Sequence, residues 1–374
     1  MKIAVNTRLL IKNKLEGIGW FAYETLKRIT GSHPEHQFYF LFDRPYDESF
    51  VFGSNVTPIV IGPQARHPFL FYLWFEKSIP KALNKIVPDL FLSPDGYNSL
   101  STKTPTLPVI HDLNFEHFPE QLPFLVRKYY KHYFPQFAHK ATRIATVSEF
   151  SKSDIVSTYG INPDKIDVVY NGANEVYQPI NPEAIVECRN QYTGGSPYFL
   201  FIGSLLPRKN IANLFSAFDL FKQNASNNIK LMIIGEKKWW TNEIKRSYES
   251  MAHKDAVIFK GHTSPDELKL LIPSALALTY VSFFEGFGIP IIEAMRCGTP
   301  VITSNTSSMP EIAGDAAMLL DPNSVQSIAD AMIKISASEE LRKSLSEKGL
   351  TRAKDFSWNA TADKLWDSII KSCC

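Results

Sequence analysis

Short apolar runs alternate with helix-period segments along this chain, stop, and then start again; few folds accommodate that pattern. Residues 2–5 form an apolar run, and Asn6 opens a polar loop reaching Gly17-Ile18-Gly19. Trp20, Tyr23, Leu26 and Ile29 then recur at helical spacing up to Gly31. Further strands are predicted at 38–42, 56–61, 90–93, 107–110, 143–147 and 165–170, with helices over 67–87, 122–139 and from Ser148. Asn171-Gly172 begins a polar, proline-bearing stretch (NGANEVYQPINPE) that reads as a linker, because the alternation restarts after it. Strands at 198–202, 230–234, 257–259, 274–280, 301–303 and 317–320 enclose helices at 211–221 and 241–251, and a last helix covers 358–371.

Strands alternating with helices build a mostly parallel sheet covered on both faces. Two such runs predict an α/β chain of two Rossmann-like domains facing across a cleft, with ligands outside the carboxyl ends of the strands. At 374 residues the chain can bury two cores of ordinary size. Lys+Arg 40 against Asp+Glu 38 is too even to point to nucleic acid. Cys188, Cys297, Cys373 and Cys374 have neither metal-ligand spacing nor a disulfide framework, and the terminal pair does not fit a prenylation box. Residues 1–6 follow a strand pattern rather than that of a signal peptide, and no run approaches the roughly 18 apolar residues of a membrane span. The expected home is the cytoplasm.

The richest stretch is residues 280–301, YVSFFEGFGIPIIEAMRCGTPV. An apolar strand breaks at Glu285-Gly286-Phe287-Gly288, and a helix opens at Ile289-Pro290, with Pro290 expected at its first position. Gly286 and Gly288 permit close approach of a ligand, and the helix start is suited to an anion such as phosphate. Glu285 in the loop and Glu293 on the first helical turn frame the bend, and carboxylates accept paired sugar hydroxyls well. A second stretch, Gly203-Ser204-Leu205-Leu206-Pro207-Arg208-Lys209-Asn210, joins a strand to a helix. Its cations are either a solvated pair or the partners of a bound anion, since cations are unfavourable near an empty helix N-terminus. His111-Asp112 also follows a strand, whereas His117 reads as structural.

EGFGIPIIEAMRCGTPVITS resembles the Glu-x7-Glu signature of the retaining glycosyltransferases of family 4, which have the two-domain GT-B fold. The resemblance extends over nearly the whole chain. It implies an acceptor-side domain over 1–172, onto which a terminal helix at 358–374 packs back, and a nucleotide-sugar domain over 180–357. By the same resemblance Glu293 binds the ribose and Glu285 holds sugar hydroxyls. Backbone N–H groups of Phe287, Gly288 and Ile289 meet the sugar and phosphate, and Gly286 belongs to the same substrate-binding loop. Arg208 and Lys209 grip the diphosphate beside Gly203; many members carry Arg where this chain has Ser204, a contact that Arg208 would take over. His111 positions the sugar near the reacting carbon with Asp112 beside it, Gly17 and Gly19 form the first-domain glycine loop, and Gly261 and His262 lie by the base.

Ser148 is expected as an N-cap. No Asp-x-Asp follows a strand and no histidines have ligand spacing, so a metal-independent transfer without cofactor is expected, with GDP-mannose as first-choice donor. The acceptor would be a glycan or lipid-linked glycan. The aromatic and basic segment 127–143 is read either as a membrane-surface face or as an amphipathic helix burying its rings. A nucleotide-sugar epimerase or hydrolase of the same architecture and a non-catalytic subunit of a glycan-assembly complex are the alternatives.

Overall fold

The computed structural model describes residues 1–224, 227–236 and 240–373, so Cys374, with the end of the expected terminal helix, lies outside the described residues. The chain divides into two compact units, Met1–Gly172 with Trp358–Cys374, and Ala173–Ser357.

In the first unit the elements run β1 (Lys2–Asn6), α1 (Gly17–Ser32), β2 (Gln37–Phe42), β3 (Val56–Val60), α2 (Pro68–Leu73), α3 (Ile79–Ile86), β4 (Leu90–Ser93) and β5 (Thr106–Ile110). They continue with α4 (Asn114–His117), α5 (Phe124–Lys140), β6 (Ile144–Thr146), α6 (Glu149–Tyr159) and β7 (Ile166–Val168). Among the described residues the sheet has seven parallel strands in the order β3-β2-β1-β4-β5-β6-β7. Strand order therefore reverses between β1 and β4, the place where open parallel sheets leave a crevice at their carboxyl edge.

One helix predicted over 67–87 is two helices joined by a π turn, Trp74–Ser78. Pro80 explains the break: it has no N–H to donate, and its ring crowds the carbonyl four residues back. The wider turn is put to use. Trp74 Nε1 donates to the Ile61 carbonyl at 2.9 Å, and the Glu76 carboxylate accepts from the Leu100 and Ser101 N–H groups at 2.9 and 3.0 Å. Trp74 and Phe75 are fully buried with Tyr97, Phe115, Phe134 and Phe137 in one aromatic core. Thus α5 packs its Tyr129, Phe134 and Phe137 inward, as an amphipathic helix does.

Gly17 and Gly19 were expected in a loop; they form the first turn of α1 instead. The physical reason is space, since a Cβ on Gly19 would stand 3.2 Å from the Leu9 carbonyl oxygen, so the incoming loop lies directly on the helix start. Ser148 caps α6, its hydroxyl accepting from the Ser151 N–H at 3.0 Å.

The second unit runs α7 (Pro182–Thr193), β8 (Tyr198–Ile202), α8 (Ile211–Asn224), β9 (Lys230–Ile234), α9 (Asn242–Glu249), β10 (Val257–Gly261), α10 (Pro265–Leu271), β11 (Ala277–Tyr280) and α11 (Ile289–Arg296). After these come β12 (Val301–Ser304), α12 (Met309–Ala313), β13 (Met318–Leu320), α13 (Val325–Ala337) and α14 (Glu339–Arg352). Its described strands form a six-stranded parallel sheet, β10-β9-β8-β11-β12-β13, with order reversing between β8 and β11. The last helix, α15 (Trp358–Cys373), belongs to the first unit, where Trp358 packs edge-on against Phe21 of α1 and Thr361 Oγ1 donates to the Tyr170 carbonyl at 2.7 Å.

Candidate active site

At the reversal point of the second sheet, the turn after β8 and the turn after β11 are knitted together. Pro207–Lys209 is one 3-10 turn, closed by Asn210 in the left-handed region at φ 61°. Asn210 Nδ2 donates to the Val281 carbonyl at 2.9 Å and the Pro322 carbonyl at 2.7 Å, and the Phe283 N–H donates to the Arg208 carbonyl at 2.8 Å. Lys209 Nζ is thereby placed 2.5 Å from Glu285 Oε1 and 2.6 Å from the Tyr280 hydroxyl. Arg208 Nη1 donates to Glu285 Oε2 at 3.2 Å and to the Phe284 carbonyl at 3.1 Å. The three charged side chains are 8–14% exposed. Burial by itself would raise the Glu285 pKa, but Lys209 and Arg208 outweigh it and hold the carboxyl down at about 2. The arrangement is a dry carboxylate with two cations on it, net positive, at a strand-end crevice.

The loop itself is tied from below. The Glu285 N–H donates to Ser307 Oγ at 3.1 Å, and Ser308 Oγ lies 2.9 Å from the carbonyls of both Glu285 and Phe287. Gly288 has φ 101°, where a side chain is strained, and then α11 begins. Ile289 is its first residue and Pro290 its second, so Glu293 stands on the second turn, not the first as expected. Gly288, with no side chain to clash, caps the helix where Pro290 was expected to start it.

Burial pushes the Glu293 carboxyl up to about 8. The phenol of Tyr177 and the thiol of Cys297 face it, and each is pushed up by burial first and by this carboxylate second. Because the folded pKa lies above the ordinary 4.5, the folded state holds a proton that the unfolded chain gives up. This contribution to stability is full below pH 4.5 and is lost as pH rises to about 8. Glu293→Gln should therefore gain melting temperature relative to the unaltered chain as pH climbs through that window. A difference that stays constant from pH 4.5 to 8 would contradict it.

Gly203 and Gly235 end β8 and β9 side by side, the Gly203 N–H donating to the Ile234 carbonyl at 2.9 Å and the Gly235 N–H to the Gly261 carbonyl at 3.0 Å. Ser204 and His262 are exposed, and Gly261 turns at φ 73°.

In the first unit His111 follows β5, and its Nε2 lies 2.8 Å from the Pro94 carbonyl. A carbonyl only accepts, so Nε2 carries hydrogen and the neutral ring keeps its lone pair on Nδ1. Burial lowers the His111 pKa, which keeps the ring neutral at ordinary pH. Asp112 accepts from the Asn114 N–H at 2.9 Å and holds the α4 turn. His117 pairs with Asp154 at 2.8 Å. Among the described residues His33, Glu35 and His36 have side chains close enough to share a metal ion, and none of them belongs to the site residues read from the sequence.

Sequence reasoning missed Tyr280, Asn210, Ser307 and Ser308. Tyr280 and Asn210 lie inside or beside the motifs, but nothing in their spacing marks them; the two serines follow β12, where only the fold brings them under the Glu285 loop.

Residues 16–176 match the family described as Glycosyltransferase Family 4, and residues 189–352 match Glycosyl transferases group 1. The chain thus carries a Glycosyltransferase Family 4 domain followed by a Glycosyl transferases group 1 domain. It is 31% identical to the O-antigen chain mannosyltransferase B of Escherichia coli over 66% of this chain and 65% of that protein. To the O-antigen chain mannosyltransferase RfbU of Salmonella typhimurium it is 29% identical over 60% of this chain and 59% of that one. The chain thus spans a little under two-thirds of the length of these relatives. Two solved structures share the GT-B fold at 17% identity: sucrose-phosphate synthase from Thermosynechococcus elongatus (TM-score 0.78, 99% and 98% of the two chains) and Anabaena HepE in complex with UDP and glucose (TM-score 0.76, 99% and 100%). Among the described residues no helix is long and apolar enough to cross a membrane.

Proposed function

We propose that the chain moves a hexose from a nucleotide-sugar to a hydroxyl of a growing glycan or lipid-linked acceptor, with retention at the anomeric carbon and without a metal ion. The observation that carries the reading is the Glu285–Lys209–Arg208 cluster at the sheet's reversal point. Fixed cations in a water-poor site stabilise charge that develops on a leaving diphosphate, and they need no reorganisation as it develops. The donor lies with its ribose on Glu293, its sugar hydroxyls on Glu285 and its diphosphate on Arg208, Lys209 and the turn Gly203-Ser204. The start of α11 receives the sugar and phosphate, and Gly261-His262 lies by the base. As the bond from C1 to the phosphate oxygen breaks, the acceptor oxygen bonds C1 on the same face and its proton passes to the leaving phosphate.

Mannose from GDP-mannose is the first choice, supported by the names of the two O-antigen relatives. A lipid-linked acceptor and contact with the inner membrane face are supported by Phe69, Phe124 and Leu125, which are 64%, 56% and 54% exposed. Arg127 and Lys128 stand 5.6 and 4.6 Å from the Phe124 ring. Such cations beside exposed rings suit an anionic lipid surface. Phe124→Ser with Leu125→Ser should reduce co-sedimentation with anionic vesicles severalfold, and unchanged sedimentation would remove the membrane part of the reading.

The activity test is incubation with GDP-mannose or UDP-glucose and isolated lipid-linked glycan, with and without EDTA, followed by NMR of the product. An α-linked mannoside formed equally with EDTA is the expected result. A β-linked product would overturn retention, and loss with EDTA would overturn metal independence. Donor turnover without any acceptor product would place the chain with hydrolases or epimerases.

A further inference from the structure

The first unit carries a buried ion pair that the chemistry above does not use. Arg8 stands two residues beyond β1 and Asp95 two residues beyond β4, so the pair sits at the reversal point of the first sheet. Arg208, Lys209 and Glu285 hold the corresponding place in the second. Arg8 and Asp95 side chains are 10% and 4% exposed, with Arg8 Nε donating to Asp95 Oδ2 at 2.5 Å. The guanidinium lies 4.5 Å from the Tyr97 ring centre and 5.5 Å from that of Phe71. The other Asp95 oxygen accepts from Asn6 Nδ2 at 2.8 Å, Ser93 Oγ at 3.1 Å and the Tyr97 N–H at 3.3 Å. The turn between Ser93 and Tyr97 is thereby gripped on both carboxylate oxygens. It is also a turn that only glycine fits, because Gly96 has φ 81° and its Cβ would meet Phe134 at 3.2 Å.

Removing a guanidinium and a carboxylate from water is costly, and well-packed apolar residues often stabilise a core as well or better. Asp95 directly follows Pro94, whose carbonyl is the group that accepts from His111 Nε2 at 2.8 Å. Among the described residues no protein group bonds His111 Nδ1. We propose that the Arg8–Asp95 pair is a positioning device for His111: by fixing the Pro94 carbonyl it holds the hydrogen on Nε2 and keeps the Nδ1 lone pair available to accept from a substrate hydroxyl. Neither Arg8 nor Asp95 touches the reacting atoms. The inference rests on the proposed sugar transfer only in what Nδ1 accepts from.

The test uses the full chain with 15N-labelled histidine, the His111 signals being identified by their loss in His111→Asn. The unaltered chain should show His111 as the Nε2–H tautomer. Asp95→Asn should shift it towards a tautomer mixture and lower kcat ten- to a hundredfold, with GDP affinity changed less than twofold. Arg8→Lys keeps the charge, loses the planar fork and should give a smaller shift in the same direction. It also serves if Asp95→Asn does not fold. Folded variants that keep the Nε2–H signature and full kcat would overturn the proposal, leaving the pair a purely structural one. If no transfer activity exists at all, the tautomer shift still reads the positioning, so failure of the activity and failure of this inference are separate results.

Discussion

Lys209→Ala should lower kcat roughly a hundred- to a thousandfold, the range seen when one fixed donor to developing charge is removed. Its Nζ is the only described cation that meets both Glu285 and the Tyr280 hydroxyl, at 2.5 and 2.6 Å. Arg208 is held by the Phe284 carbonyl as well as by Glu285, so it cannot swing into the vacated place without giving up a contact. The loss should therefore appear in turnover far more than in binding of the nucleotide alone. Stability will fall too, because removing one partner of a buried pair leaves the other charge poorly compensated. Circular dichroism and a melting curve separate the two effects. Steady-state kinetics on the folded fraction should show the drop in kcat, and a near-normal kcat would remove Lys209 from the chemistry.

Much of this was legible because its signals are local. The apolar run at 198–202, the break at Glu285-Gly286-Phe287-Gly288 and the proline after it announce a strand, a loop and a helix without reference to the rest of the chain. Local signals also misled. Two glycines at 17 and 19 look like a loop, yet they open α1, and the Leu9 carbonyl lies against the second of them. A continuous aromatic stretch at 67–87 looks like one helix, yet Pro80 widens it into a π turn. Glu293 moved to the second turn because Gly288 became the cap. What sequence spacing could not carry was partnership. Glu285 meets Lys209 across 76 positions, Ser307 meets the Glu285 N–H across 22, and Asp95 meets Arg8 across 87. These pairings exist only once the order of strands in each sheet is set.

The largest loss of stability is expected at Gly235. A Cβ there would stand 1.9 Å from the Gly203 carbonyl oxygen, a backbone atom fixed in the sheet by the Gly203 N–H bond to Ile234. No rotamer relieves a contact with backbone, so the ends of β8 and β9 would have to part. Clashes of this kind belong to the rare substitutions that cost about 4 kcal/mol or more. For a unit of this size that corresponds to a melting temperature lower by about 10 °C. Because Gly203 opens the turn that carries Arg208 and Lys209, nucleotide binding should weaken as well. Gly31→Ala is the control, since nothing lies within 4 Å of a Cβ at that position. Equal melting temperatures for the two variants would show that the strand ends are not packed as described.

Sugar transfer as proposed requires that the second unit bind a nucleotide-sugar through Glu293 and the Glu285 cluster. Calorimetric titration of the purified chain with GDP, UDP, GDP-mannose and UDP-glucose, with and without EDTA, tests it most directly. GDP and GDP-mannose should bind in preference to the uridine ligands, with affinity unchanged by EDTA and weakened at least tenfold by Glu293→Ala. Preference for the uridine ligands would overturn the choice of mannose while keeping the site. Absence of binding to every nucleotide and nucleotide-sugar tried, ADP- and dTDP-sugars included, would show that the second unit is not a nucleotide-sugar site.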